Sequence, residues 1–381
     1  MNRKRTVTSE VRIANRSLIF HTLYQQGRQS KSQLRSLLGL SLPTIDQNLA
    51  ELKAQGLLTA VESQQSTGGR KAMEYMVQPQ ARYALGLDIT QNHIATAILD
   101  LTGGILHLKR ERLVYEPTSE YCAHIGRYVA GLLSEYQIPA DKVLGLGLSV
   151  PAIVSPDARR LTYASLLQFS DGRIADLEAH LPFPCRFVND ATAGGFAEAW
   201  YNPDIRQSPA DQSVAYLSLS NSVGGAFLTK GSIYAGQNLR ASEFGHVTLH
   251  PGGQKCYCGQ LGCADAYLSA KLLSDQRQGN LAAFFEDLAQ GDQACRDVFG
   301  AYLDNLVLII NSLRMVYDCP VICGGYVGSH LSPHLPEIRR RLAQRNTFEP
   351  DGSYLFECAY RYEAAAVGAA LNYLDSFIRS I

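Results

Sequence analysis

Residues 243–265 read EFGHVTLHPGGQKCYCGQLGCAD, which brings Glu243, His246, Cys256, Cys258, Cys263 and Asp265 into one short segment. Thiolate and imidazole are the donors that Zn2+ prefers, and four of them complete a tetrahedral shell. A filled shell leaves no position for an activating water, so the pattern predicts a structural zinc held by His246, Cys256, Cys258 and Cys263. A lone cysteine is more often a small core residue than a ligand, but a Cys-x-Cys-x4-Cys run with a histidine upstream is hard to produce by core packing. The carboxylates at either end, Glu243 and Asp265, add a polar pocket to the metal site.

The chain around this segment has 381 residues, more than one core usually serves, so two or three domains are expected. Hydrophobic content of 46% with 18% charged residues and 32 glycines fits a globular α/β protein and argues against dominant disorder. No stretch approaches the roughly 20 apolar residues that span a bilayer. The basic start Met1 to Arg5 is followed by no apolar signal core, so a cytoplasmic protein without membrane contact is expected. Three of the nine cysteines lie in the cluster; the others (122, 185, 295, 319, 323, 358) are scattered, which fits reduced thiols. His93, His107 and His124 belong to no constellation.

Formal net charge is zero, but residues 1–80 hold 11 Lys and Arg against 5 Asp and Glu, a local +6 that leaves −6 for the rest. The asymmetry points to a polyanionic partner for the N-terminal segment. Residues 9–26 predict a first helix with Val11, Ile13, Leu18, Ile19 and Leu23 on one face, ended by Gly27. Ser30 caps a second helix, with Gln33 at the capping-box position, and Gly39 ends it. Ser41 starts a third, with Pro43 in its first turn, where proline is tolerated. LLTAVES (57–63) and KAMEYMV (71–77) then read as strands joined by QQSTGGR. Three helices and a hairpin make a winged helix. Its third helix would present Ser41, Thr44 and Gln47 to DNA, with Ile45, Leu49 and Leu52 packed inward and Arg70 and Lys71 on the wing. The same elements also describe a three-helix protein-interaction module; the local charge favours DNA.

From Tyr83 the pattern changes to strand, turn, strand, turn in YALGLDITQNHIATAILDLTGGILH. Strand-then-helix segments follow at 143–150, at 185–190 before ATAGGFAEAWY, at 213–231 and at 320–327, which is an α/β pattern. The similar openings at 83 and 213 suggest a duplicated lobe. EAAAVGAALNYLDSFI, at the end, reads as an amphipathic helix packed on the first lobe, or as a dimer contact.

Across essentially the whole chain these residues resemble the ROK family, named for repressors, open reading frames and kinases. The family's zinc signature, Gly-His then Cys-x-Cys-Gly-x2-Gly-Cys, stands here as Gly245-His246 and Cys256-Tyr257-Cys258-Gly259-Gln260-Leu261-Gly262-Cys263. A winged helix in front, ending in Gly69-Arg70, is similar to the transcriptional repressor branch of Mlc, NagC and xylose-repressor type. The resemblance implies a two-lobed actin-like, sugar-kinase (ribonuclease H-like) domain with sugar and nucleotide in the cleft. It implies boundaries at 1–80 for the winged helix, 81–190 for the first lobe with 362–381 returning to it, and 191–361 for the second lobe. In family kinases an aspartate after an asparagine is the base on a sugar hydroxyl, and Asn189-Asp190 matches that place. Read alone, Asp190 is also a good helix cap. Glu243, His246 and Asp265 match positions that contact sugar hydroxyls, where an ionised carboxylate accepts from two adjacent hydroxyls and so reads stereochemistry. One ring nitrogen of His246 would bind zinc while the other faces the sugar, so the metal would hold a recognition group in place.

Several positions depart from the family pattern. Asp265 replaces a glutamate and is shorter by one methylene, and Ser165 replaces an asparagine near the cleft. The first phosphate loop, Asp-x-Gly-Gly-Thr in the kinases, is Asp88-Ile89-Thr90-Gln91-Asn92; the second, Gly-Thr-Gly-x-Gly, is Ser220-Asn221-Ser222-Val223-Gly224. Phosphate cradles need glycine so that the backbone can take φ > 0 and approach the oxygens. Cys323-Gly324-Gly325 matches a nucleotide-side turn but is also ordinary turn chemistry. The expectation is a sugar-responsive homodimeric repressor, with Asp190 a vestigial base, no catalytic residue and a structural zinc. An active sugar kinase carrying a DNA module, and a domain that senses a sugar-transport protein, are the alternatives.

Overall fold

The computed structural model describes residues 3–63, 72–163, 172–202, 205 and 213–381. Helix α1 (Arg3–Gln26) starts earlier than the apolar pattern suggests. Only part of its expected apolar face is buried: Ile19 and Leu23 are, with Phe20, whereas Val11, Ile13 and Leu18 are 54%, 50% and 45% exposed. At about 100° per residue Val11 and Ile13 lie on opposite sides of the helix, so the five never shared a face. A two-residue strand, β1 (Gln29–Ser30), precedes α2 (Lys31–Leu38). Ser30 and Gln33 form the expected capping box, the Ser30 amide donating to Gln33 Oε1 at 2.7 Å. Helix α3 (Leu42–Ala54) is capped by Ser41, and its Ile45, Leu49 and Leu52 are buried with Leu34 of α2 and Leu23 of α1. Strands β2 (Leu58–Glu62) and β3 (Met73–Val77) pair antiparallel, and β1 adds to β3 through Gln29–Tyr75 and Ser30–Glu74. Two residues are too few to leave a period in the sequence, so this third strand was not legible there. Arg70 and Lys71 of the wing, and Ser165, lie outside the described residues.

The first large sheet contains β4 (Tyr83–Ile89), β5 (His93–Asp100) and β6 (Ile105–Arg112). After α4 (Ser119–Glu135) comes β7 (Val143–Val150), and a small ribbon of β8 (Ile153–Val154) and β9 (Leu161–Tyr163) follows. Helix α5 (Gly172–Glu178), β10 (Cys185–Asn189) and α6 (Asp190–Tyr201) complete the unit. Its order is β10-β7-β4-β5-β6, with the first three strands parallel and the last two joined antiparallel. The second sheet repeats the plan. It contains β11 (Val214–Leu219), β12 (Val223–Thr229), β13 (Ser232–Ile233), β14 (Val321–Gly324) and β15 (Leu355–Glu357). Read as β15-β14-β11-β12-β13, it has the same pairing directions. The 320–327 segment, expected as a strand, is strand only to Gly324; Gly325–Gly328 is a helical turn.

Strand β4 is buried along its whole length because both faces are covered, as in parallel-type sheets generally. Leu85, Leu87 and Ile89 pack with Ile125 and Val129 of α4 and Ile174 of α5, while Ala84 faces the C-terminal helix (Ala364–Ser380). The helices are exchanged between the units. Helix α6, which follows the last strand of the first sheet, packs on β11 and β12 of the second; the C-terminal helix, which follows β15, packs on β4, β5 and β7, and the two helices pack on each other. The helix Gln293–Tyr317 is, by length and composition, apolar enough to cross a bilayer (mean hydropathy 1.2), which corrects the expectation that no stretch approached that limit. Its Phe299, Leu303, Leu306 and Ile310 lie in the second core.

Candidate functional site: a polar cavity beside a four-donor metal cluster

The step from Asn189 to Asp190 closes β10 and opens α6, and it corrects the capping reading. Asn189 is the cap: its Oδ1 accepts from the Thr192 amide at 2.9 Å, and its Nδ2 donates to the Ala152 carbonyl at 3.2 Å. Asp190, relieved of that role, accepts from the Ala191 amide at 2.9 Å and from Asn189 Nδ2 at 3.2 Å. Burial, then the neighbouring Asp88 charge, pushes its carboxyl up to about 7.

Asn189 and Asp190 form one wall of a cavity of about 950 Å3. The opposite wall comes from the second unit: Ser222 to Gly225 at the start of β12, then Gln237, Asn238, Arg240 and Glu243 from the loop after β13, with His246 and Tyr257. Two non-glycine residues of that loop are left-handed, Leu239 (φ 58°) and Ser242 (φ 66°). Such residues cost on the order of 1 kcal/mol each and persist where surrounding structure holds them. Burial raises the Glu243 carboxyl, opposed by His246 and Arg240.

Behind this wall His246, Cys256, Cys258 and Cys263 bring four donor atoms within 4.8 Å of one another. Thiolates at corners of a tetrahedron with bonds of about 2.3 Å sit roughly 3.8 Å apart; Cys258 and Cys263 Sγ are 3.8 Å apart. Cys256 Sγ lies 4.0 Å from Nδ1 of His246, so Nδ1 faces the cluster, while Nε2 lies 3.3 Å from the Tyr257 hydroxyl on the cavity side. The donor set and spacing fit a tetrahedral metal ion. The knuckle is a tight hairpin: the Cys256 amide donates to Gln260 O at 2.8 Å, and Lys255 and Leu261 form a bridge. Gly262 has φ 84°, and a Cβ there would stand 1.8 Å from the His250 carbonyl oxygen, so only glycine fits.

Asp265 departs from expectation. It is 6% exposed and absent from the cavity wall; its Oδ2 accepts from the Val223 amide at 2.6 Å and so anchors the first residue of β12 from behind. The structure therefore brings Asn189, Asp190, Glu243 and His246 together at the cavity and leaves Asp265 outside it. Tyr257 was missed although it lies between two cysteines of the donor cluster, a position that could have drawn notice. Gln237, Asn238 and Arg240 carry no local signal.

A smaller cavity of about 160 Å3 shares Asp190 and Ser222 with the first and is lined by Asp88, Thr90, Gln91, Lys271 and Tyr326. Asp88 is buried, accepts from Ser149 Oγ at 2.6 Å and is pushed up to about 6 by burial. Neither 90–92 nor 220–222 contains a left-handed residue. The Thr90 amide and hydroxyl both donate to His93 O, and the carbonyls of Ser220 and Asn221 accept from Ala270 N and Ser269 Oγ, each at 2.8 Å. The Arg110 guanidinium lies 5.0 Å from the Tyr362 ring and 5.5 Å from that of Tyr326, two residues that line this cavity.

On the winged helix, Ser41 and Gln47 are exposed and Thr44 is half-buried. Ser41 Oγ is engaged in capping, 3.4 Å from the Thr44 amide and 2.8 Å from Thr44 Oγ1, and Gln47 Nε2 donates to Glu51 at 3.4 Å.

The chain is 23% identical to the xylose repressor of Bacillus subtilis (strain 168) over 389 residues, covering 97% of both chains. It is 23% identical to the DNA-binding transcriptional dual regulator NagC of Escherichia coli (strain K12) over 273 residues, 71% of this chain and 66% of that one, just under two thirds of the relative's length. Among solved structures, a ROK family transcriptional regulator that is a homologue of the E. coli MLC protein shares the fold with a TM-score of 0.74 at 17% identity, over 97% of this chain and 98% of that one. The ROK family model matches residues 84–375, from β4 into the C-terminal helix, and the chain belongs to the ROK family.

Proposed function

We propose that this chain is a sugar-responsive DNA-binding transcriptional regulator, a repressor of carbohydrate uptake or metabolism genes, whose two-lobed domain senses a sugar without phosphorylating it. The observation that carries this reading is the joining, in one chain similar to a xylose repressor along nearly all its length, of a winged helix to a cleft whose polar cavity is walled by Asn189, Asp190, Glu243 and His246. The reading divides the chain at 1–80, 81–190 and 191–361, with 362–381 belonging to the first lobe. Residues 1–80 bind operator DNA through Ser41, Thr44 and Gln47, with Arg70 and Lys71 on phosphates. Two copies read the half-sites of a palindrome as a homodimer in the cytoplasm. A sugar-transport protein is a further candidate partner.

His246, Cys256, Cys258 and Cys263 hold a structural Zn2+, which when bound ties the knuckle to the cavity wall. With Nδ1 on the metal, Nε2 of His246 and the Tyr257 hydroxyl are left for a sugar hydroxyl; Glu243 and Asp190 accept from others. Loss of kinase activity is the reading of the turns at 90–92 and 220–222, whose backbone offers no left-handed cradle for phosphate oxygens.

A thermal-shift screen of the purified protein against pentoses, hexoses and amino sugars tests the sensing reading, because a ligand that binds only the folded state raises its stability. Absence of any shift across the panel defeats it. Asp190, with a carboxyl raised to about 7, favours one second reading, an active kinase. Turnover of ATP with any sugar above about 1 s-1, an ordinary enzyme rate, would establish that instead.

A further inference from the structure

The two ends of α6 lie in different parts of the molecule. Asn189 and Asp190 at its start wall the larger cavity; Trp200 at its other end, in a helix about 18 Å long for 12 residues, meets the winged helix. The Trp200 ring lies edge-on to Tyr24 of α1, with centroids 6.4 Å apart. Tyr24 in turn stacks on Phe20 at 6.2 Å, and Phe20 shares a core with Ile45 and Leu49 of α3. On its other side Trp200 packs on Phe196 at 5.7 Å.

A glycine completes the joint. Gly103, at the turn between β5 and β6, has φ 83°, and a Cβ on it would lie 3.2 Å from Tyr201 Oη, 3.3 Å from Trp200 Nε1 and 3.8 Å from Tyr24 Oη. The Tyr201 hydroxyl donates to the Gly103 carbonyl. Three aromatic rings from two parts of the chain thus converge on one turn without a side chain.

We propose that the Trp200–Tyr24 contact is the joint through which occupancy of the cavity alters the setting of the DNA-reading helix, an inference that rests on the sugar-responsive reading above. Helix α6 is held as a rigid body: Glu198, fully buried, accepts from the Ala359 and Tyr360 amides at 2.7 and 2.9 Å. Packed helices move as units, so a small rotation at Asp190 arrives as a displacement at Trp200. Trp200 is a positioning residue and touches neither ligand. Coupling is reciprocal, so DNA bound to α3 must act back on the cavity by the same factor.

Trp200 is the only tryptophan in the chain, so its emission reports on the joint directly. Full-length protein is titrated with a fluorescein-labelled duplex selected from a random library, with anisotropy and intrinsic emission read together, in the absence and presence of D-xylose, D-glucose or N-acetyl-D-glucosamine. Saturating duplex is expected to change Trp200 emission, and a sugar that raises the melting temperature to shift duplex Kd about tenfold. Trp200→Ala is expected to retain the thermal shift and duplex binding while the sugar effect falls below about twofold, with Trp200→Phe restoring most of it. Tyr24→Leu attacks the joint from the other side should Trp200→Ala fail to fold. An undiminished sugar effect in either variant, or unchanged emission with duplex saturated, overturns the proposal. If no sugar shifts the melting temperature, the sensing reading falls, and the emission change on duplex binding still decides the joint.

Discussion

The two five-stranded sheets have one strand order and the same pattern of parallel and antiparallel pairs, yet they contribute to the cavity in different ways. Between the third and fourth strands the first unit spends residues 113–142 on α4 and connecting turns, which only cover the sheet. The second unit places residues 234–320 at the same point, and these carry Arg240, Glu243, His246, the cysteine knuckle and a long core helix. The first unit offers the Asn189-Asp190 step at a strand end, beside the mostly apolar 151–156 segment after β7. Duplicated topology supplies the cleft; an insertion in one copy supplies most of the polar side chains that face it. Stability should therefore respond most to changes in the inserted segment and least to changes far from it.

The largest effect is expected from the metal. Cys258→Ser, or chelation of the wild-type protein, is expected to cost about 5 kcal/mol or more, because donor binding is folding free energy for such knuckles. Melting curves with and without chelator measure it, and superimposable curves would mean that the second unit stands without an ion. Next comes Gly262→Ala, at roughly 3 kcal/mol in urea unfolding, since the new methyl group meets the His250 carbonyl on a left-handed backbone. A cost below about 0.5 kcal/mol would show that the knuckle yields, which close packing does not permit.

Asp88 probes the first unit. In the native state its carboxyl keeps its proton up to about pH 6, whereas the unfolded group loses it near 3.8. Between those values the folded state binds more protons, so stability falls as pH rises through that window. Asp88→Asn removes this loss while still accepting from Ser149; it is expected to be more stable than wild type by about 3 kcal/mol at pH 8, with the gap closing towards pH 3. A gap independent of pH would show that the buried carboxyl does not titrate this way. The smallest effect belongs to the winged helix, where Ser41→Ala is expected to cost about 1 kcal/mol through the lost cap. Duplex titration of the same variant separates capping from DNA contact: unchanged Kd would take Ser41 out of the interface.

Features that depend on neighbours a few residues apart were legible in the chain. The capping box of Ser30 and Gln33, the helix start at Ser41, strand β7 and the four donors at His246, Cys256, Cys258 and Cys263 are local spacings, and the donors do converge. The similar openings at 83 and 213 foretold two sheets of equal design because both copies obey the same alternation. The exposure of Val11 and Ile13, the use of Asp265 by Val223 and the meeting of Tyr24 with Trp200 required the folded chain. Each hangs on partners far apart in sequence. Residue type states what a side chain can bond, but only packing of distant segments settles which of its possible partners arrives and which face is left to water.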